Sequence, residues 1–182
     1  FGRLTESDYP IESKRHLRKF LDTTKAQLFF ANGVLLVEGI AEAIIIPILA
    51  KKFLSEKIDL CKSGIELVNI GGVAFNHFGL LFNNDDERKR LLSRCAIITD
   101  SDPKEDGDIS DRAQNAKDLE KHNLKVCLAP HTLEYDLFEQ SEQNKTIMRD
   151  VYRKLHPRTE ILKSEFDAQT LMQYLEQNKD KA

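Results

Sequence analysis

The sequence is short of several things, and each shortage removes a class of function. Cysteine occurs three times in 182 residues, at Cys61, Cys95 and Cys127, and never as a C-x-x-C pair. That excludes a disulfide-stapled scaffold. Cys95 and Cys127 fall in or beside strand-like apolar runs, and the thiols read as reduced core groups of a cytoplasmic protein. Histidine and cysteine sets at zinc spacing are absent as well. No apolar run approaches the roughly 18 residues that a membrane span needs, and no charged-apolar-small signal opens the chain. Excess positive charge is missing too. The 27 Lys and Arg against 30 Asp and Glu leave a formal charge of -3, so bulk charge is not a means of gripping nucleic acid. Cations bound at an acidic site would reverse the local sign, so an acidic phosphodiester-handling site stays open. The first residue is Phe1 rather than Met, and the sequence is read as a fragment of a longer protein.

What is present is ordinary for one well-filled globular core: 41% hydrophobic and 31% charged residues. Residues 13–27 read as a polar helix leading into Leu28-Phe29-Phe30, and Asn32-Gly33 as a turn. Four short apolar runs then follow at 34–37, 65–70, 95–99 and 124–128, each of the β-branched-rich kind expected of a buried parallel strand. Helical stretches separate them at 41–53, up to about 82, and at 111–122, and the chain beyond Pro130 is mainly helical. Pro47 lies inside the first, so that helix either kinks there or starts near it. Strand and helix alternation predicts an α/β fold with a mainly parallel sheet of about four strands, covered on both faces, and with extra C-terminal helices. The expected domains are a connector at 1–30, a catalytic core at 31–140 and a helical C-terminal part at 141–182.

Ligands of open parallel α/β sheets bind beyond the carboxyl ends of the strands. Three of the four predicted strands end in acids. The first runs into Glu38-Gly39, with Glu42 in the first turn of the following helix, where the helix dipole favours an anion. The third runs into Asp100-Ser101-Asp102-Pro103. An extended backbone there would point both aspartates to one side, and Pro103 would hold Asp102 out of the helical region. After the fourth comes His131-Thr132-Leu133-Glu134-Tyr135-Asp136, again with acids two apart. Six carboxylates gathered at one edge would repel one another unless something positive compensates. Hard oxygen ligands suit Mg²⁺, Mn²⁺ or Ca²⁺, and a pair of such ions would serve phosphodiester displacement.

Each motif has a plainer reading by itself. An E-x-x-x-E is ordinarily a solvated helix face, a D-x-D after a strand can be loop capping, and Glu134 and Asp136 alone would be surface charge. Gly71-Gly72 reads as a turn, His131 as a loop hydrogen-bonder, Tyr135 as structural, and residues 104–111 as a solvated, mobile connector. Joint placement at three strand ends is what favours a site.

Leu36-Val37-Glu38-Gly39, Glu42 and Ile46-Pro47-Ile48-Leu49-Ala50 resemble the opening of the Toprim domain in overcoming-lysogenization-defect (OLD) family nucleases, a group that includes the Gabija nuclease subunit. Phe20-Leu21-Asp22 with Leu28-Phe29-Phe30-Ala31, Val68-Asn69-Ile70-Gly71-Gly72, the Asp100–Asp102 pair and Leu133-Glu134-Tyr135-Asp136 are similar to family segments in the same order, over residues 17–182. The resemblance implies a Toprim (Rossmann-like) fold and a DNA endonuclease dependent on Mg²⁺ or Mn²⁺, with two ions. It further implies an ABC-type ATPase domain upstream that uses ATP, a dimer or higher oligomer, and a part in phage defence. Carried over residue by residue, Glu38, Glu42, Asp100, Asp102, Glu134 and Asp136 would be metal ligands, with Glu38 and Asp100 catalytic. The family's phosphate-steadying lysine lies in a K-G-x-F-A-like motif, whose start would be Lys181, although alanine at 182 replaces the glycine. No Walker motif occurs in the chain itself.

Other readings remain. Primase-like or topoisomerase-like chemistry shares the glutamate and the D-x-D but lacks a supporting tyrosine or zinc motif here. A haloacid-dehalogenase-type phosphatase needs its D-x-D after the first strand. A non-catalytic module, binding a structural cation while dimerising or regulating an ATPase, fits the same acids.

Overall fold

The computed structural model describes residues 10–21, 26–54, 59–71, 75–104, 107–160 and 165–178. Two compact units divide the chain, Phe1–Leu128 and Ala129–Ala182.

The first unit is built on a four-stranded parallel sheet: β1 Gly33–Val37, β2 Ile65–Asn69, β3 Arg94–Asp100 and β4 Leu124–Ala129, in the order β2-β1-β3-β4. The helices are α1 Ile11–Leu21, α2 Ile40–Phe53, α3 Phe75–Asn83 and α4 Asp111–Lys117. All four expected strands are present, each within a residue or two of its expected bounds. In register, Val37 of β1 stands opposite Asn69 of β2 and Ile98 of β3. The central strands β1 and β3 therefore end side by side.

Period-two alternation sends Val34 and Leu36 of β1, Cys95 and Ile97 of β3, and Leu124 and Val126 of β4 to one face. There they pack with Leu17 of α1, with Phe75, Phe78, Leu81 and Phe82 of α3, and with Ala116 of α4. Right-handed crossovers put α2 on the opposite face, where it packs against β2. This helix starts at Ile40 and runs through Pro47 without ending, so the proline is accommodated inside it. One stripe of α2, formed by Ile40, Ile44 and Ile48, is exposed.

Two sequence expectations change. The helix after β3 ends at Lys117, and a turn leads from it into β4 rather than further helix to residue 122. Only Cys95 is a core thiol. Cys127 is exposed because β4 is an edge strand whose outward positions, Lys125 and Cys127, face away from the core; Cys61 is exposed in the turn before β2. The connector is helical over Ile11–Leu21, residues 22–25 lie outside the described residues, and Ala26–Phe29 form a short 3-10 helix.

An edge strand needs partners for its outward amides. At Val126 the partner is Glu120, whose carboxylate accepts the backbone N–H at 3.0 Å and also pairs with Lys125 at 3.1 Å. The backbone bond first, then Lys125, holds the Glu120 carboxyl down at about 2.

The second unit carries α5 Leu133–Glu139, α6 Glu142–Leu155 and α7 Ala168–Gln177. Side-chain caps start each one: Thr132, Ser141 and Asp167 accept from Tyr135, Asn144 and Thr170. Phe138, Phe166, Ala168 and Leu171 form its core, and Arg149 lies against both phenylalanine rings while donating to the Phe166 carbonyl. Among the described residues no helix is long and apolar enough to cross a membrane.

Phe78 is fully buried, so Phe78→Ala is expected to cost about 3–5 kcal/mol in urea denaturation. A second expectation concerns pH. His77 on α3 shares a 2.8 Å hydrogen bond with the buried Ser13 hydroxyl of α1, and its ring lies 4.6 Å from that of His16 at a tilt of 31°. Burial, then the neighbouring His16, lowers its pKa below 6.5, against a raising contribution from Glu12. The folded state then binds fewer protons than the unfolded chain just below that value, so stability is full above pH 6.5 and falls as the pH drops. Melting curves should show a decline as the pH falls below about 6.5 that shrinks in His77→Gln; an unchanged decline would contradict it.

Candidate metal and catalytic site

The carboxyl edge of the sheet begins where β1 ends. Because Val37 pairs with Ile98, the next residue, Glu38, stands level with Thr99 of β3. The buried Thr99 hydroxyl donates to Glu38 Oε1 in a short hydrogen bond. Glu38 Oε2 receives Arg112 Nη1 at 2.9 Å, and the other terminal nitrogen of that guanidinium contacts Asp102 Oδ2 at close range. One arginine thus ties together carboxylates from the ends of two neighbouring strands. The Glu38 side chain is only 16% exposed, so this pair is better shielded than a surface ion pair.

Arg112 was not among the residues singled out in the sequence, and neither was Thr99. A signal for Arg112 does exist. It sits in the first turn of α4, where the dipole disfavours a cation, so an arginine there needs an anionic partner nearby. Thr99 gives no such signal, since a threonine inside a strand run is unremarkable.

Glu42 lies in the first turn of α2, as expected. Its Oε2 is buried with no hydrogen-bond partner. The side chain folds back over Gly39, where an added Cβ would stand 2.8 Å from that oxygen. The missing side chain at Gly39 is therefore what makes room for the Glu42 carboxylate.

Asp100 is the last residue of β3, as expected. Asp102 differs from the expectation of extended backbone: its φ is +42°, in the left-handed region. Pro103 excludes the right-handed helical region for its predecessor, and the short aspartate side chain tolerates the left-handed one. The same-side argument for Asp100 and Asp102 therefore fails, and Asp102 reaches the site through Arg112 instead. Nor is the described part of the following loop a loose connector. Ser110 N–H donates to Ser101 O at 2.9 Å, Lys104 N–H to Asp108 O at 2.8 Å, and Lys104 pairs with Asp111 at 2.8 Å. Residues 105–106 lie outside the described residues.

Gly71 adopts φ +66° and its N–H donates to Asn69 Oδ1 at 2.9 Å, which makes it a turn; Gly72 lies outside the described residues. In the second unit, both oxygens of Asp136 are engaged by His131, by the ring Nδ1 at 3.2 Å and by the backbone N–H at 3.3 Å. Tyr135 stacks on the same imidazole. Glu134 is close enough to Tyr152 to add to the rise in that phenol's pKa, of which burial is the larger cause. Lys181 lies outside the described residues.

The donor chemistry of Glu38, Glu42, Asp100 and Asp102 fits a hard divalent cation: every donor is a carboxylate, and one buried oxygen of Glu42 has no donor of its own. As arranged, no three His, Cys, Asp or Glu side chains among the described residues are gathered around one point that could hold an ion. Arg112 supplies the compensating positive charge at Glu38 and Asp102.

A parallel sheet ordered β2-β1-β3-β4, with acids at the carboxyl ends of its two central strands, defines a Toprim-type α/β domain. More particularly, residues 29–102 match the model of the overcoming lysogenization defect protein-like TOPRIM domain. Among solved structures, the C-terminal region of the Xanthomonas campestris pv. campestris OLD protein is similar. Its platinum-phased form gives a TM-score of 0.56 at 24% identity, covering 84% of this chain and 80% of that one. Its mercury-phased form gives 0.54 at 25%, covering 82% and 80%. The C-terminal region of the Burkholderia pseudomallei OLD protein gives 0.52 at 21%, covering 81% and 82%. No curated protein matches the chain.

The left-handed backbone at Asp102 can be tested apart from its charge. Asp102→Asn and Asp102→Val both remove the carboxylate, but asparagine tolerates positive φ and a β-branched residue does not. The valine variant should be less stable than the asparagine variant by about 1–2 kcal/mol in denaturant titration; equal stabilities would argue against the strained backbone.

Proposed function

We propose that this chain is the nuclease domain of an OLD-like protein and hydrolyses DNA phosphodiester bonds with Mg²⁺ or Mn²⁺ as cofactor. The observation that carries this is the set of carboxylates at the shared end of β1 and β3, with the buried, partnerless oxygen of Glu42 over Gly39 in the turn after β1. That edge is where a parallel α/β sheet presents its ligands, and the OLD-like Toprim match at residues 29–102 points the same way.

Glu38, Glu42, Asp100 and Asp102 would hold the metal. A bound divalent cation, or a pair of them, supplies Lewis acidity at the phosphate and lowers the pKa of water, which makes a nucleophile at neutral pH. The chain's own residues set the conditions for it. Thr99 fixes the rotamer of Glu38 by donating to one of its oxygens. Gly39 leaves space for Glu42 to reach the turn after β1. Arg112 neutralises part of the acidic cluster and so makes its close packing tolerable. The ligand roles of Glu134 and Asp136, the phosphate-steadying role of Lys181, an ATPase domain upstream, oligomerisation and a part in phage defence belong to the same proposal and rest on the family resemblance.

A second reading, an accessory module that binds a structural cation or regulates a partner domain, is favoured by one observation. Arg112 already occupies two of the carboxylates, and no ready-made three-ligand cluster is present among the described residues.

Plasmid nicking by the natural protein that carries this chain separates the two. With Mn²⁺ or Mg²⁺ present, Glu38→Ala and Asp100→Ala are expected to abolish nicking while leaving the fold intact by circular dichroism. Undiminished nicking in both variants would rule out these residues as catalytic. Millimolar Mn²⁺ should also raise the melting temperature of the wild type, and less so that of Glu38→Ala.

A further inference from the structure

We infer that Arg112 is a built-in counter-cation that competes with the divalent metal for Glu38 and Asp102, so that metal binding is an exchange in which the guanidinium is released. The inference rests on the metal-binding reading above and adds a residue to it that the acidic motifs do not include.

Both oxygens of Glu38 are spoken for, one by the Thr99 hydroxyl and the other by Arg112 at 2.9 Å. Glu38 Oε2 keeps a second lone pair, but a cation placed on it would lie against the guanidinium, and repulsion between the two positive charges sets them in competition for that oxygen. Asp102 is clasped from the other side by the same group. Meanwhile the Glu42 oxygen over Gly39 has no partner at all, so the arrangement leaves one acceptor empty while doubly serving another. A site shaped only for structural neutrality would spread its positive charge over all these acids. The observed one instead resembles a closed form, held by a long side chain that can swing away.

The geometry of Arg112 suits such a swing. It projects from the first turn of a two-turn helix, its side chain is 35% exposed, and no described contact other than the two carboxylates anchors the guanidinium. Once released, it would remain at the carboxyl edge of the sheet as a positive group able to face a phosphate. Removing the guanidinium should therefore improve metal affinity, the opposite of what a residue supporting the site would do. Without it, the carboxylates lose their internal cation and become more attractive to an external one.

Mn²⁺ binding measured by calorimetry or by loss of the free-ion electron spin resonance signal decides the matter, on the wild type, Arg112→Gln, Arg112→Lys and Glu38→Gln. Arg112→Gln is expected to bind Mn²⁺ on the order of tenfold more tightly than wild type, and Arg112→Lys to stay near the wild-type value. The metal-free melting temperature of Arg112→Gln should fall below that of wild type, with the gap closing at saturating Mn²⁺. If wild type binds Mn²⁺, loses it in Glu38→Gln, and Arg112→Gln binds equally or more weakly, the exchange is wrong while the metal-site reading stands. If wild type and Arg112→Gln both bind none at millimolar concentration, both ideas fall. Should Arg112→Gln not fold, the wild type alone decides by nuclear magnetic resonance. The guanidinium N–H signals of Arg112, slowed by the two ion pairs, should broaden or merge on titration with Mg²⁺, and persistence unchanged at saturation would overturn the exchange.

Discussion

The parallel pairing of β1 with β3 is the constraint from which the rest of the site follows. These strands are far apart in sequence, and only their register brings the end of one level with the end of the other. With Val37 opposite Ile98, Glu38 must emerge beside Thr99, and the chain leaving β3 must turn at Asp100 to Asp102 within reach of the same space. A slip by one residue would reverse which side chains face the core and would place Glu38 on the wrong side of its neighbour. The core that holds this register includes Leu36, Ile97 and Phe78, all fully buried, so the geometry of the acids depends on apolar packing a few residues away.

Two devices then handle the charge that this register concentrates. One is steric: glycine at position 39 lets the Glu42 carboxylate lie directly against the backbone turn. The other is electrostatic. Arg112 comes from α4, beyond a loop whose own backbone bonds and Lys104–Asp111 pair set where the helix begins. The left-handed conformation of Asp102 belongs to the same loop and brings its carboxylate to the arginine. Repulsion between Glu38 and Asp102 is therefore met by a side chain of the fold itself.

The second unit shows how the same kind of motif can be read in more than one way. Asp136 gives both oxygens to His131, and Glu134 lies near Tyr152, so the acids after β4 have partners within their own helical unit. Their spacing of two residues looked like that of Asp100 and Asp102, yet here it is helical spacing, which separates the side chains around α5 rather than aligning them. Likewise the outward position of Cys127 follows from β4 lying at the sheet edge, a fact about strand order that local hydrophobicity does not contain.

By itself the sequence determined the alternation of strands and helices, the parallel class of the sheet, the positions of Glu38 and Asp100 at the strand ends, and that of Glu42 in the first turn of α2. These follow from local period and local breakers, which act within a few residues and so are legible along the chain. The tertiary structure alone decided that Thr99 and Arg112 engage Glu38, that Asp102 turns left-handed and reaches the arginine, and that one Glu42 oxygen is left buried without a donor. Thr99 is 61 residues from Glu38, and such contacts exist only after crossover connections have set strand order and register.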